Sequence, residues 1–285
     1  MTAIRSLLAA TDFSAGADRA VRRAALLAGA LGARLELLHV VDDSPFSGIG
    51  SLASLDKIRG RLLEEARRKM EVAASAMPQA VAHVETGPLP ERIVEAAAAH
   101  DLLVLGAQGA SSAAGEPVLG TTAGRLLLGA KCAILVVRNE PREGYARVLV
   151  PCEFAPPARR ALELALTIAP GARITLLHVS EALDAFRVWA TQPDETAALR
   201  AEVETRALNW LSGLTAGLQG VGSVESRVEF GGARRMILAA ARDEASDLIV
   251  MGKQGRSRIR EMFVGSTTRD ALDHAKCDVV IAASS

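Results

Sequence analysis

The chain has few cysteines, few aromatics and no excess charge of either sign, and each shortage weighs against a class of function. Its three cysteines, Cys132, Cys152 and Cys277, are an odd number at wide spacing, which argues against a disulfide framework or a thiolate metal cluster. Buried, reduced thiols are the expected alternative. Lys plus Arg and Asp plus Glu both number 33, so no long-range field draws in nucleic acid or an anionic membrane. Six Phe, two Trp and one Tyr are few for a base-stacking surface. No apolar run approaches the roughly 20 residues of a membrane span. The apolar patch in MTAIRSLLAATDF is cut short by Asp12, so no signal peptide is expected and the expected location is the cytoplasm.

What the chain does have is an internal repeat. GARLELLHVV (32–41) returns as GARITLLHVS (171–180), HDLLVLGAQG (100–109) as SDLIVMGKQG (246–255), and AKCAILVV (130–137) as AKCDVVIA (275–282). The order is the same in both halves, at offsets of 139 to 146 residues. Two copies of one domain follow, residues 1–140 and 145–285, joined near the charged RNEPREG segment (138–144). At 285 residues the chain is long enough for each copy to bury its own core.

Within a copy, short runs rich in branched residues, such as RLELLHVV and CAILVVR, alternate with helical patterns. Ser14 is placed to cap AGADRAVRRAALLAGAL, with Gly32 after its end. Leu55, Ile58, Leu62, Ala66 and Met70 form an apolar stripe, as do Leu199, Val203, Leu211 and Leu214 beside Trp210. Strand–helix alternation predicts an α/β fold: in each copy a doubly wound, Rossmann-like parallel sheet of five strands with helices on both faces.

Ligands of such sheets sit beyond the C-terminal strand ends, where the strand order reverses. There the second copy carries MGKQGRSRIREMFVGST (251–267). Gly252 ends a strand, Gly255 suits a turn of positive φ, and Gly265 leaves room for close approach. Ser266 and Thr267 then open a helix whose free amides suit a phosphate chain. Lys253, Arg256, Arg258 and Arg260 add positive charge, which could instead be a solvated face. No Walker sequence occurs, and GIGSLA (48–53), which matches Gly-x-Gly-x-x-Ala, is separated from its strand and reads as a linker.

The spacing of Gly252, Gly255 and Gly265-Ser266 resembles the ATP-binding motif of the universal stress protein family. TDFS (11–14), the LLHV strands and KCAILVV are also similar to that family, over almost the whole of both copies. The resemblance implies ATP at the strand C-termini and a role in stress response; Mg is the usual companion of such a ligand. It implies packing of the copies about a pseudo-twofold through AILVV and DVVIA, as a pseudo-dimer. Carried over residue by residue, Asp12 lies beside the adenosine and the Val41 backbone meets adenine. Gly106, Gly109, Gly120, Thr121 and Thr122 form the ribose and phosphate loop. In the second copy the set is Glu153, Ser180, Gly252, Gly255, Gly265, Ser266 and Thr267, with Arg256 among the cations.

Both copies depart from the pattern. The first has ten residues between Gly109 and Gly120, with no Lys or Arg and one acid, Glu116. The second has Glu153 in place of Asp and Ala155 in place of Ser. Positive charge near a triphosphate ranks the second copy as the tighter ATP site and the first as weaker or degenerate. His39 and His178 read as satisfied strand histidines rather than metal ligands, and Cys152 as a core thiol rather than a nucleophile. The segment 180–195 is read as either a lid or a partner contact. No acyl-transfer or hydrolase motif is present, so ATP hydrolysis is expected to be slow and incidental. The expected partners are an adenine nucleotide and a protein or second copy of the chain; a nucleotide-free interaction scaffold is the alternative.

Overall fold

The computed structural model describes residues 3–44, 53–109, 121–181, 193–218, 223–253 and 265–283. The chain divides into two compact units, one spanning Ala3–Gly144 and the other beginning at Tyr145.

The first unit contains β1 (Ser6–Ala10), α1 (Ala15–Leu31), β2 (Arg34–Val41), α2 (Ala53–Ser75), β3 (Ala80–Thr86), α3 (Leu89–Ala97), β4 (Leu102–Gly106), α4 (Thr121–Gly129) and β5 (Ala133–Val137). Its strands run in the order β3-β2-β1-β4-β5, every pair parallel. The second unit repeats the series as β6 (Arg147–Pro151), α5 (Pro157–Ile168), β7 (Arg173–Ser180), α6 (Pro193–Thr215), β8 (Val224–Phe230), α7 (Ala233–Asp243), β9 (Leu248–Gly252), α8 (Ser266–His274) and β10 (Asp278–Ala282). Its order is β8-β7-β6-β9-β10, again all parallel. The doubly wound fold expected from strand–helix alternation is therefore present in each copy. The order reverses between β1 and β4, and between β6 and β9, so a crevice opens beyond the C-terminal ends of those pairs.

Central strands are apolar on both faces because helices cover both. Leu7, Leu8, Leu102, Leu103 and Leu135 are fully buried, as are Leu149, Leu176 and Leu248 in the second copy. Each such side chain contributes roughly 1.5–3 kcal/mol of burial. Ser14 caps α1 by accepting the Ala17 amide at 3.2 Å, and Gly32 closes it in the left-handed region at φ 62°. The stripe on α2 behaves differently from its sequence pattern. Ala66 and Met70 are buried, whereas Ile58 and Leu62 are 38% and 44% exposed. On α6, Leu211 is fully buried and Leu199, Val203 and Leu214 are half-buried.

An aspartate staples each crossover. Asp101 accepts the amides of Arg5 and Ser6 (2.8 and 3.0 Å) and the Ser6 hydroxyl (3.0 Å). Asp247 accepts those of Ala146 and Arg147 at 2.8 and 3.1 Å. The outer strands differ in guard: β8 carries Arg227, paired with Glu229 and Glu244, and Glu225, paired with Arg173. The outer strand β3 has no Lys or Arg and exposes Val81 at 58%. The segment leaving β5 is clasped by α1. Arg22 meets both oxygens of Glu140 at 3.0 Å, and buried Arg23 donates to the Glu143 carbonyl at 2.6 Å.

Candidate nucleotide site

At the end of β1, three side chains each accept an amide a few residues ahead and shape a tight turn. Thr11 Oγ1 takes the Phe13 amide at 3.0 Å, Asp12 Oδ1 the Ser14 amide at 3.0 Å, and Ser14 Oγ the Ala17 amide. Phe13 adopts φ 61°, a conformation uncommon for a bulky residue, which these bonds hold in place. The other carboxylate oxygen of Asp12 lies against the loop after β4. A Cβ on Gly109 would stand 2.7 Å from Asp12 Oδ2. Asp12 and Gly109 are thus adjacent across the switch point. His39, on β2, donates from Nδ1 to the Thr11 carbonyl at 2.7 Å and sets its ring 4.4 Å from that of Phe13. Burial pushes its pKa down against the opposing influence of the Thr11 bond and Asp12, so the ring is neutral at pH 7.

The glycines ending β4 and β9 have a structural cause of their own. A Cβ on Gly106 would meet the Gly16 carbonyl and the Ala17 amide at 2.7–2.9 Å, and one on Gly16 would collide with the Gln108 carbonyl. On Gly252 it would stand 2.6 Å from Cβ of Pro157. Close packing of the first helix against the fourth strand accounts for glycine at these positions. Gly265 is different: it precedes α8 at φ −54°, and among the described residues a Cβ there would meet only Thr268 Oγ1, at 3.9 Å. It supplies no side-chain cap, Ser266 is exposed and Thr267 half-buried.

In the second copy the frame is kept and its chemistry altered. His178 Nδ1 donates to the Cys152 carbonyl at 2.9 Å and lies 4.4 Å from the ring of Phe154, which meets Trp210 edge-on at 4.9 Å. Ala155 has no hydroxyl, and its amide turns back to the Glu153 backbone carbonyl at 2.6 Å. Helix α5 opens on Pro156 and Pro157 without a side-chain cap, and Glu153 is exposed. Burial pushes the Cys152 thiol up to about 12, which keeps it protonated and inert. The carbonyls of Val41 and Ser180 accept the amides of Gly87 and Gly231, at 3.2 and 3.0 Å, where φ is 136° and 131°.

Asp12, Gly106 and Gly109 therefore gather at one crevice, with Val41 ending the adjoining β2. Glu153, Ser180 and Gly252 hold the matching places in the second copy. Gly120, Gly255, Arg256, the side chains of Thr121 and Thr122, and most of residues 48–53 and 180–195 lie outside the described residues. Among the described residues, no group of three or more His, Cys, Asp and Glu side chains is placed to hold a metal ion, and no helix is long and apolar enough to cross a membrane. Sequence reasoning missed the role of Phe13 and Phe154. The signal was present as an aromatic after the acid in both TDF and CEF.

Known proteins share this architecture. The chain is 33% identical over 141 residues to universal stress protein A homolog 2 of Coxiella burnetii, an alignment spanning 47% of this chain and 94% of that protein. A universal stress protein from Archaeoglobus fulgidus superposes on 98% of both chains with a TM-score of 0.71 at 20% identity. A functionally unknown protein from Pseudomonas aeruginosa covers 98% of this chain and 92% of its own, with a TM-score of 0.63 at 17% identity. A profile of the Universal stress protein family matches residues 3–138 and again 144–283. With both halves matched and the fold repeated in each, the chain belongs to the universal stress protein family, as a tandem of two of its domains.

Proposed function

We propose that this protein is an adenine-nucleotide-binding regulator of the cytoplasm, holding ATP with Mg at the C-terminal strand ends of its second copy. The observation that carries the reading is the start of α8. Gly265 gives its first-turn amides no side-chain cap, and among the described residues a Cβ there would meet only Thr268 Oγ1, at 3.9 Å, in a copy whose sequence just before this helix carries Lys253, Arg256, Arg258 and Arg260. Amides of this kind and the positive helix end favour a polyphosphate. Gly252, Gly255, Gly265, Ser266, Thr267 and Arg256 would hold the phosphates, with Glu153 and Ser180 toward the nucleoside. Asp12, Val41, Gly106, Gly109, Gly120, Thr121 and Thr122 form the weaker first site. The bound nucleotide would alter contacts with a protein partner or a second chain.

A second reading, a nucleotide-free scaffold, draws on the packing at Gly106 and Gly252, which explains those glycines without a ligand. Two measurements separate the readings. Protein purified and denatured is expected to release adenine nucleotide detectable by mass spectrometry, and added MgATP to raise the melting temperature. No released nucleotide together with an unmoved melting temperature would establish the scaffold.

A further inference from the structure

The margin of the first copy is the outer edge of β3. All seven residues of that strand pair with β2, in unbroken register from Leu35 with Ala80 to Val41 with Thr86, and β3 stands last in the strand order. Its other edge therefore presents a row of backbone donors and acceptors, with no proline or bulge in the strand to interrupt them. The matching strand β8 sets Arg227 against Glu229 and Glu244, and β3 has no Lys or Arg to do the same.

Helix α2 runs beside this margin and makes a groove with it. Arg67, Met70, Glu71 and Ala74 line the groove from the helix, and Ala82 and Val84 from the strand. Met70 is buried, whereas Arg67 and Glu71 are exposed, one helical turn apart. Other charges of α2 are matched within the chain, Lys69 with Glu65 at 2.9 Å and Arg59 with Asp43 at 2.8 Å. Among the described residues neither Arg67 nor Glu71 takes part in an ion pair. One unmatched charge of each sign on a single surface is what an isologous contact uses, because the surface meets its own copy and supplies both members of each pair.

We propose that the β3 margin is an interface between two molecules of this chain, in which β3 pairs with β3 of the second molecule, antiparallel about a twofold axis normal to the sheet. Such an axis keeps both α2 helices on one face of the joined sheet and sets them antiparallel across the seam. The groove brings residues 67–74 of α2 level with residues 82–84, the middle of β3, so an axis there turns Arg67 of each molecule toward Glu71 of the other. The contact closes after two chains, and a molecule left unpaired keeps its margin open. An extended peptide could take the same backbone bonds, but it gives no reason for the two reciprocal charges.

Sedimentation velocity of the full chain over a range of concentrations, without added nucleotide, tests this with Arg67→Glu and Glu71→Arg. The native chain is expected to sediment at twice the mass of one molecule. Each single variant sets like charges against each other at both pairs, and is expected to weaken the dimer by about tenfold or more while the thermal midpoint holds. Mixed in equal amounts, the two variants are expected to regain the native affinity as a heterodimer, and the double variant Arg67→Glu/Glu71→Arg to regain it alone. A chain that stays a single molecule up to about 100 μM, or forms only larger assemblies, overturns the proposal. So does a dimer indifferent to both single variants, and so does one that they dissociate but that neither mixing nor the double variant restores.

Discussion

Glycine substitutions separate packing from permissiveness one residue at a time. At Gly106 the obstructing atoms are backbone, which cannot yield as a side chain would. Gly106→Ala should lower the unfolding free energy by about 1–3 kcal/mol in urea titration. Gly60, exposed in the interior of α2 with none of the described residues within 4 Å of where a Cβ would stand, should behave oppositely. Gly60→Ala is expected to stabilise by about 0.5–1 kcal/mol, because it removes backbone freedom from the unfolded chain. Asp101 supplies a pH signature. Burial raises its pKa, but the amides of Arg5 and Ser6 and the Ser6 hydroxyl outweigh that and hold it below its ordinary value. A carboxylate lowered in this way adds stability above an unfolded pKa of about 3.9, and that stability is lost as pH falls through the folded value. The gap in stability between the native protein and Asp101→Asn should therefore be level from neutral pH down to about pH 5, and close below about pH 4. At this scale the strand-end acids and glycines were legible as types, but the contacts of the glycines were not. What Gly106 touches is the first turn of α1, some 90 positions earlier in the chain.

Helix ends and strand runs were the most legible elements, because their signals are local. Ser14 and Gly32 bracket α1 as their chemistry requires. Ser14→Ala should cost about 1 kcal/mol by thermal or chemical denaturation, while Ala155→Ser in the second copy should return little, since Pro156 and Pro157 have no amide to donate to the new hydroxyl and that of Ala158 is already bonded to the Ala155 carbonyl at 3.1 Å. The apolar stripe on α2 was legible as a pattern but not in its extent. Periodicity reports which face is apolar, not how far the sheet beneath extends, and Ile58 and Leu62 stay exposed. The pairing of Phe13 with His39, and of Phe154 with His178 and Trp210, was hidden because it joins three separate elements.

For the whole molecule, the repeat in the sequence exposed the duplication directly, since two copies of one pattern need two cores. The grip of α1 on residues 140–143 was not visible there. Arg22 and Arg23 look like ordinary helix cations until the returning chain is placed against them. Arg23→Ala removes a buried donor to the Glu143 carbonyl and should cost about 1–3 kcal/mol. It should also make the bond after Arg142 a faster site for trypsin, measurable in a timed digest. Arg22→Ala, which breaks an exposed pair, should change stability by no more than about 1 kcal/mol.

The unguarded strand β3 bears on how this protein behaves in a tube. A sheet margin without Lys or Arg, presenting a branched aliphatic side chain, is where one folded molecule can graft onto the next. Turbidity on concentration should start from the N-terminal half, and Val81→Lys should raise the concentration at which it sets in while leaving the thermal midpoint almost where it was.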